Sequence, residues 1–591
     1  MPHGALDDEA LLRAYEPVLR FTRGEYFYPV SVERYVAQAA LWNTPQDGEP
    51  QLIARPGTLD LSGLVARSAV TQGLGESLSG IATGVKPDRL TIPIKDRPPR
   101  LEGGSRLAAV GMLARVVDAL SRVSLVFRGS VPGGSAARSF LLQQRELAPD
   151  RPTYYGRVVR DGHWIVCQYW FFYAFNNWRS AFGGVNEHEA DWEQVTIYLD
   201  GAGEPGAEGL PAPRWVVFSA HDETGDDLRR RWDDPDLTLI DGRHPVVFAG
   251  AGSHSGAYLA GDYLITVATP TLGGLVRVMR QLGRLVAPWP GSEASEGLGI
   301  PYVDYARGDG RVIGAGGDAW HPVVIDESTG WVRDYRGLWG HDTRDRLGGE
   351  RGPAGPRYER DGTVRQSWAD PVGWAGLAKV APNPDVESAL VAARLAELGE
   401  RLGQLEAEVG PARAALERSA AGLAPASPEV RGLVPEEKRI LGLTMEITLL
   451  RDERARMEAS LGQAPPVADP HAHLRHRRTP LESVRGLRSR LLAGWAVVST
   501  PVLLYGISAI ILPTIAVSAS ITALVWVVLL LSVEGLVRGR FLSVMGRLFL
   551  AAALLVGLYY LVVDWRIVLA WTFAGAAALL LVVNLRDALK R

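Results

Sequence analysis

His188, Glu189, Asp191 and Glu193 sit within one short run, NEHEADWEQVTIYL, spanning 186–199. One imidazole and several carboxylates at this spacing could hold a divalent cation, and a hard one such as Mg2+ or Ca2+ where oxygen ligands dominate. If the chain is extended from Asp191 onward, one face carries Asp191, Glu193, Val195, Ile197 and Leu199, and the other Trp192, Gln194, Thr196 and Tyr198. Two like charges then end an apolar strand face. They repel and are costly to desolvate, so they require an arginine, a cation or a shared proton. Metal or ligand binding and an arginine-paired sheet rim are the two readings of the spacing.

The elements that must position these groups are dense strands. WIVCQYWFFYAFNNW (164–178) precedes the acidic run across a Gly-containing turn. Further strand candidates are 153–160, 191–199, 214–221, 245–250, 262–268 and 321–326, with 163–175 covering the aromatic run. Their spacing, with Gly, Pro and Asp turns between them, predicts a β-sandwich over 151–380. Two other strands end on a histidine. RWVVFSAH leads to His221, and HPVVFAGAGSHSGAY places Ser253, His254 and Ser255 just past a strand. His254, His221 and Glu189 are therefore candidate ligand-binding residues, beside His188, Asp191 and Glu193 as candidate metal ligands. A Ser–His–Asp hydrolase assembled from Ser253 or Ser255, His188 or His254, and Asp191 would lack the Gly-x-Ser-x-Gly elbow.

Residues 1–150 read as a helical and loop-rich N-terminal part: helix, short strand and helix up to 48, mostly loop over 49–100, and a helix over 105–128. Residues 271–289 form a basic amphipathic helix, either lying on an anionic membrane surface or packed on the sheets. The Gly314–Gly317 run has no following Lys-Ser/Thr and reads as a plain turn. Residues 331–376, punctuated by Trp, Gly and Pro, close the same domain. Over 385–462 the composition turns to Ala, Glu, Arg and Leu, with Val391, Leu395, Leu398, Leu402, Leu405 and Val409, then Ile440, Leu443, Ile447, Leu450, Met457 and Leu461, at three-four spacing. Gly410-Pro411, Pro425 and Pro428 are expected to interrupt them. The expectation is a coiled-coil hairpin that folds on itself or zips with a second copy.

Residues 463–490 become basic, a composition that favours anionic headgroups beside a membrane. Apolar runs over about 491–512, 514–533, 548–563 and 567–584 predict a four-helix transmembrane bundle within 491–585. The basic flank before 491, the loop with Arg538, Arg540 and Arg547, and the tail with Arg586, Lys590 and Arg591 place the N-terminal region and C-terminus on the cytoplasmic side. The scarcity of charge within the spans points to an anchor rather than an ion-coupled transporter. The whole is a multi-domain chain of 591 residues with net charge −3 and a single cysteine, Cys167. That balance carries no global nucleic-acid signature, and one cysteine builds no intrachain disulfide framework. The start of the chain has no basic-then-apolar leader pattern.

The run HWIVCQYWFFYAFNNW…NEHEADWEQVTIYL, together with YEPVLRFTRGEYFYPVSVERYV, GAGSHSGAY and the closing WG…GP…W…PVGWA, resembles the vacuolar protein sorting-associated protein 62 family and its bacterial relatives. The likeness covers about residues 11–375 and implies a β-sandwich. A more distant similarity is to the necrosis- and ethylene-inducing-like proteins, whose Gly-His-Arg-His-Asp-Trp-Glu heptapeptide contributes to a cation site used on membrane glycolipids. His188, Asp191 and Glu193 match that motif, whereas Ala190 stands at its second histidine and Glu187 at its glycine. The resemblance implies a cation site here with altered geometry. The expected function is a membrane-anchored, non-catalytic protein that binds a divalent cation and a headgroup or glycan. A metal-dependent hydrolase of phosphoester or lipid substrates and a membrane-anchored scaffold are the alternatives.

Overall fold

The fold is that of a computed structural model, which describes residues 7–43, 50–71, 76–79, 115, 135–147, 151–177, 187–203, 209–218, 228–267, 300–341, 352–424, 427–460, 471, 473–474, 480–481, 487–511, 519–563 and 565–589. Its strands are β1 (Val18–Phe21), β2 (Ala40–Asn43), β3 (Gln51–Ala54), β4 (Glu76–Ser79), β5 (Thr153–Asp161), β6 (Trp164–Asn176), β7 (His188–Asp200), β8 (Pro213–Phe218), β9 (Arg229–Arg231), β10 (Leu239–Ile240), β11 (His244–Ala249), β12 (Gly256–Ala257), β13 (Gly261–Val267), β14 (Ile300–Ala306), β15 (Val312–Ile313) and β16 (His321–Val324).

The central sheet runs in the order β16-β5-β6-β7-β8-β9. A second sheet, β10-β11-β1-β15 with β12 beside β11, faces it. Tyr169, Phe171, Tyr173, Val195, Ile197 and Leu199 from the central sheet meet Leu19, Phe21, Val247, Ala249 and Ile313 from the second across a shared core. The opposite face of the central sheet is also covered. Trp170, Phe172 and Trp192 pack there with Trp331, Tyr335, Trp339 and Trp368 of the closing segment and with Tyr35 and Val36 of the N-terminal helix Val32–Gln38. Strands β6 and β7 are therefore buried on both sides, and alternation decides which core a side chain enters rather than whether it is buried.

The paired sheets agree with the expected sandwich, and the helical additions are present. Residues 49–100 hold more structure than a loop reading allows, because β3 and β4 flank β2 and the helix Leu61–Thr71 lies between them. Short polar strands such as Glu76–Ser79 have no apolar alternation of their own, and their partner supplies the order. β14 was also not foreseen. It pairs along its whole length with β13, across sequence lying outside the described residues. The expected helices at 105–128 (Arg115 apart) and 271–289, and His221, also lie outside them.

The helices Pro384–Ala420 and Val434–Ser460 form an antiparallel hairpin, closed by Leu402, Leu405, Val409, Ile440 and Ile447. Arg394–Glu453, Arg401–Glu446 and Arg439–Glu408 cross between them. Pro411 does not end the first helix, contrary to expectation. The ring removes one backbone donor near Ala407, but Ala412 and Leu416 continue the apolar contact beyond it, and packing outweighs the lost bond. Asp200, at the end of β7, joins the hairpin to the sheet. Its Oδ2 accepts from Arg214 Nη2 at 2.9 Å and Asn383 Nδ2 at 2.8 Å, and Asn383 in turn caps the helix through the Val386 amide.

Four C-terminal helices follow, Leu487–Ile511, Ala519–Val537, Phe541–Val563 and Trp565–Leu589. Among the described residues one stretch, Phe541–Tyr559, is long and apolar enough to cross a membrane, while Arg490–Gly506 and Val525–Val537 are shorter apolar helices. Of the four expected crossings, this one is supported by length and composition among the described residues. Glu534 is buried and accepts hydrogen bonds from Arg115, Trp495 and Arg538.

Burial pushes the Asp200 carboxyl up, but the bonds from Asn383, Arg214 and the Ala202 and Gly203 amides outweigh it and leave its pKa below the usual value. A lowered folded-state pKa stabilises the fold above the unfolded carboxylate range, and that stabilisation is lost as pH falls through the folded value. Asp200→Asn should therefore be less stable than the parent at pH 7 and approach it under acid conditions. Denaturant midpoints measured between pH 7 and 3 check this; a gap that stays constant with pH contradicts it.

Candidate functional site

The β6–β7 register sets Tyr173 opposite Asp191, Phe171 opposite Glu193 and Asn176 opposite His188. Between Glu189 and Asp191 the chain breaks its alternation at Ala190, whose φ is +60°. A left-handed alanine in a strand costs about 1–3 kcal/mol. Here it divides the acidic run. Glu189 Oε2 accepts from Ser79 Oγ at 2.8 Å and from the His341 amide at 3.0 Å, on the side of the Trp339 core. Gly340 makes that approach feasible, since a Cβ there would meet the Glu189 carbonyl oxygen. His188 bends onto its own backbone, its Nδ1–H donating to the Ala190 carbonyl at 2.7 Å. Asp191 goes to the opposite side.

There Asp191 Oδ2 accepts from His254 Nδ1 at 2.9 Å and from Asn176 Nδ2 at 3.1 Å. The His254 ring lies flat on Tyr173, with centroids 3.8 Å apart and planes within 5°. Its other nitrogen, Nε2, is buried, has no hydrogen-bond partner among the described residues, and stands 3.9 Å from Glu25 Oε1. Glu25 is held by three backbone donors. Oε1 accepts from the Tyr26 and Phe27 amides at 2.7 and 3.0 Å, and Oε2 from the Gly252 amide at 2.7 Å.

The turn after β11 makes this possible. Gly252 has φ +75°, and a Cβ there would lie 2.3 Å from the Asn177 carbonyl oxygen. His254 itself has φ +59°, a second strained position that aims its ring at Asp191. Ser253 and Ser255 flank it but do not serve it. Both donate to Asp304 of β14, at 2.7 and 2.5 Å. The Ser–His arrangement of a nucleophile–base pair is thus not formed. Glu193 lies one pleat on from Asp191, close enough to act on Tyr173. Burial first, then the Glu193, Asp191 and Glu25 carboxylates, drive the Tyr173 phenol well above its ordinary pKa, so it stays neutral.

The structure therefore brings together Asp191 and His254 of the expected site residues. It separates Glu189 from them and does not converge His188, Asp191 and Glu193 into a three-ligand group. The physical reason is the Ala190 twist, which sequence alternation cannot show. Glu25, Asn176 and Asp304 were missed. Each had a weak signal: an acid between glycine and aromatics in Gly24-Glu25-Tyr26, an asparagine ending an aromatic strand, and an aspartate inside the apolar run IPYVDYA.

Chemically, the Asp191–His254 pair fixes the imidazole tautomer and presents Nε2 to a fixed carboxylate. That arrangement orients an imidazole toward a cation or a proton. The comparisons assign no class to it: no family model, curated protein or solved structure matches the chain.

Asp191→Ala would leave His254 Nδ1 and Asn176 Nδ2 without this acceptor in a buried place. A loss of about 1–3 kcal/mol is expected, measurable by denaturant unfolding. A neutral result would show that the dyad contributes nothing to the fold.

Proposed function

We propose that the chain is a membrane-attached binding protein whose paired sheets take up a divalent cation between His254 Nε2 and Glu25, and through it a polar headgroup or glycan. The observation that carries this reading is the buried Nε2 facing a carboxylate at 3.9 Å while Asp191 holds Nδ1. With Nδ1–H given to Asp191, the Nε2 lone pair points toward an anion. A cation between them satisfies both, with Asp191 as the orienting partner. The likeness of residues 11–375 to the vacuolar protein sorting-associated protein 62 family belongs to the same reading.

The C-terminal helices support membrane attachment. They present large apolar side chains outward, including Phe549, Trp571 and Phe573, each more than two-thirds exposed. Four crossings, with the sheets and both termini cytoplasmic, is the topology we propose, with the basic flanks on one side. The hairpin also offers Leu441, Met445 and Leu449, four residues apart and exposed, as a stripe for a second copy.

A hydrolase is the second reading, and the Asp191–His254 dyad favours it: Nε2 could serve as a general base for water on a phosphoester. Calorimetric titration of the full chain in detergent with Mg2+, Ca2+ and Mn2+ separates the readings. Stoichiometric binding that falls at least tenfold in His254→Ala, without turnover of phosphoesters, is expected. Turnover abolished by His254→Ala would favour the hydrolase. Absence of binding for all three ions would leave His254 in a structural role between two carboxylates.

Membrane attachment has its own check. The full chain should sediment with membranes and resist alkaline carbonate extraction. Release into the supernatant would overturn an integral anchor.

A further inference from the structure

Away from the polar centre, a second group of side chains converges where the segment preceding the C-terminal helices lies on the sheets. His471 Nε2 is 2.9 Å from Asp234 Oδ1 and 3.3 Å from Asp236 Oδ2. Among the described residues this is the one set of three His, Cys, Asp or Glu side chains whose ligand atoms all lie within 4.8 Å of one another. Asp234 and Asp236 flank Pro235 in the turn between β9 and β10, and His471 arrives from 237 residues further along the chain.

Asp234 supplies the independent observation. Its side chain is fully buried. Oδ1 accepts from the Asp236 amide at 2.8 Å, while Oδ2 has no hydrogen-bond partner among the described residues. Arg230 Nε, at 3.9 Å, is the cation beside it, and that guanidinium lies over the Tyr258 ring. A buried carboxylate oxygen without a donor is costly unless a cation serves it. The neighbouring His473 fixes the segment in place. Its Nε2–H donates to the Arg229 carbonyl at 3.2 Å, and its ring meets Trp215 edge-on.

We propose that Asp234, Asp236 and His471 form a binding site for a divalent transition metal of the zinc class, clamping the segment before the C-terminal helices to the sheets. The imidazole nitrogen in this compact set is a usual ligand of Zn2+, whereas the hard ions favour oxygen alone. With metal–ligand bonds of about 2.0–2.2 Å, neighbouring ligand atoms stand roughly 3 Å apart, the separation His471 keeps from both aspartates. Three protein ligands leave one position for water.

The test is calorimetry of the metal-stripped full chain in detergent with Zn2+ alone, for the parent, His471→Ala, Asp236→Asn and His254→Ala. Asp236 and His471 are partly exposed, so both variants should fold, which thermal melting without zinc verifies. One Zn2+ equivalent should disappear, or weaken at least tenfold, in His471→Ala and Asp236→Asn and persist in His254→Ala. Zinc binding by the parent that neither variant alters, or no zinc binding by the parent, would overturn the site and leave His471 as a plain ion-pair partner. Loss in His254→Ala alone would place the zinc at the polar centre and overturn this proposal likewise.

Discussion

The long antiparallel pairing of β6 with β7 is the constraint on which the rest of the structure depends. Twelve residue pairs join them, and both faces of the pair are dry. In a half-solvated sheet, a polar side chain can simply turn to water. Here a polar side chain on either strand has no solvent to turn to, and desolvation without a partner costs more than a single hydrogen bond returns. Gln168 meets that demand with the Ser367 carbonyl and Arg157, and Tyr198 with the Pro371 carbonyl. Neither has an apparent chemical role. The same demand at the end of the hairpin draws in Asn176, His254, Ser79 and the His341 amide around the acidic run. A polar centre and the closure of the fold are thus one problem solved by one set of contacts.

This explains which parts of the site sequence could show. Strand alternation put Asp191 and Glu193 with Val195, Ile197 and Leu199, and the core of the facing sheets confirms the apolar part of that face. Nearly every strand proposed between 153 and 326 is present within a few residues, because dense β-branched and aromatic runs override local uncertainty. Tertiary partners were not legible. Glu25 reaches His254 only because β1 enters the second sheet parallel to β11, a pairing between residues more than two hundred positions apart. The direction of Glu189 depended on one φ angle at Ala190, and alanine is not a residue whose identity announces a left-handed conformation. The persistence of the helix through Pro411 depended on hairpin packing in the same way.

Backbone strain concentrates where the polar groups meet. Of the three non-glycine residues with positive φ among the described residues, Ala190 and His254 both lie at this centre. Neither gains anything locally from the conformation. Each is held by its surroundings: Ala190 by the Trp339 core and by the split of Glu189 from Asp191, His254 by Tyr173, Asp191 and the Gly252 turn. Strain of this kind survives only where several contacts over-determine it. It converts the ordinary hairpin turn of GAGSHS into a device that fixes one imidazole in one orientation.

The segment leading to the C-terminal helices touches this device from outside. The Leu481 amide donates to the Asp262 carbonyl at 2.7 Å, and the Leu481 side chain packs on Ala251, Val303 and Tyr305. Gly261 is bare where Pro480 lies, since a Cβ there would meet the proline ring. Ala251 directly precedes Gly252, whose amide holds Glu25, and Val303 and Tyr305 bracket Asp304, which holds Ser253 and Ser255. The turn carrying His254 therefore has its outer wall built by the chain that enters the apolar helices. Its contacts fall on Ala251, Val303 and Tyr305, so this segment packs against the turn and β14 rather than against β6 and β7.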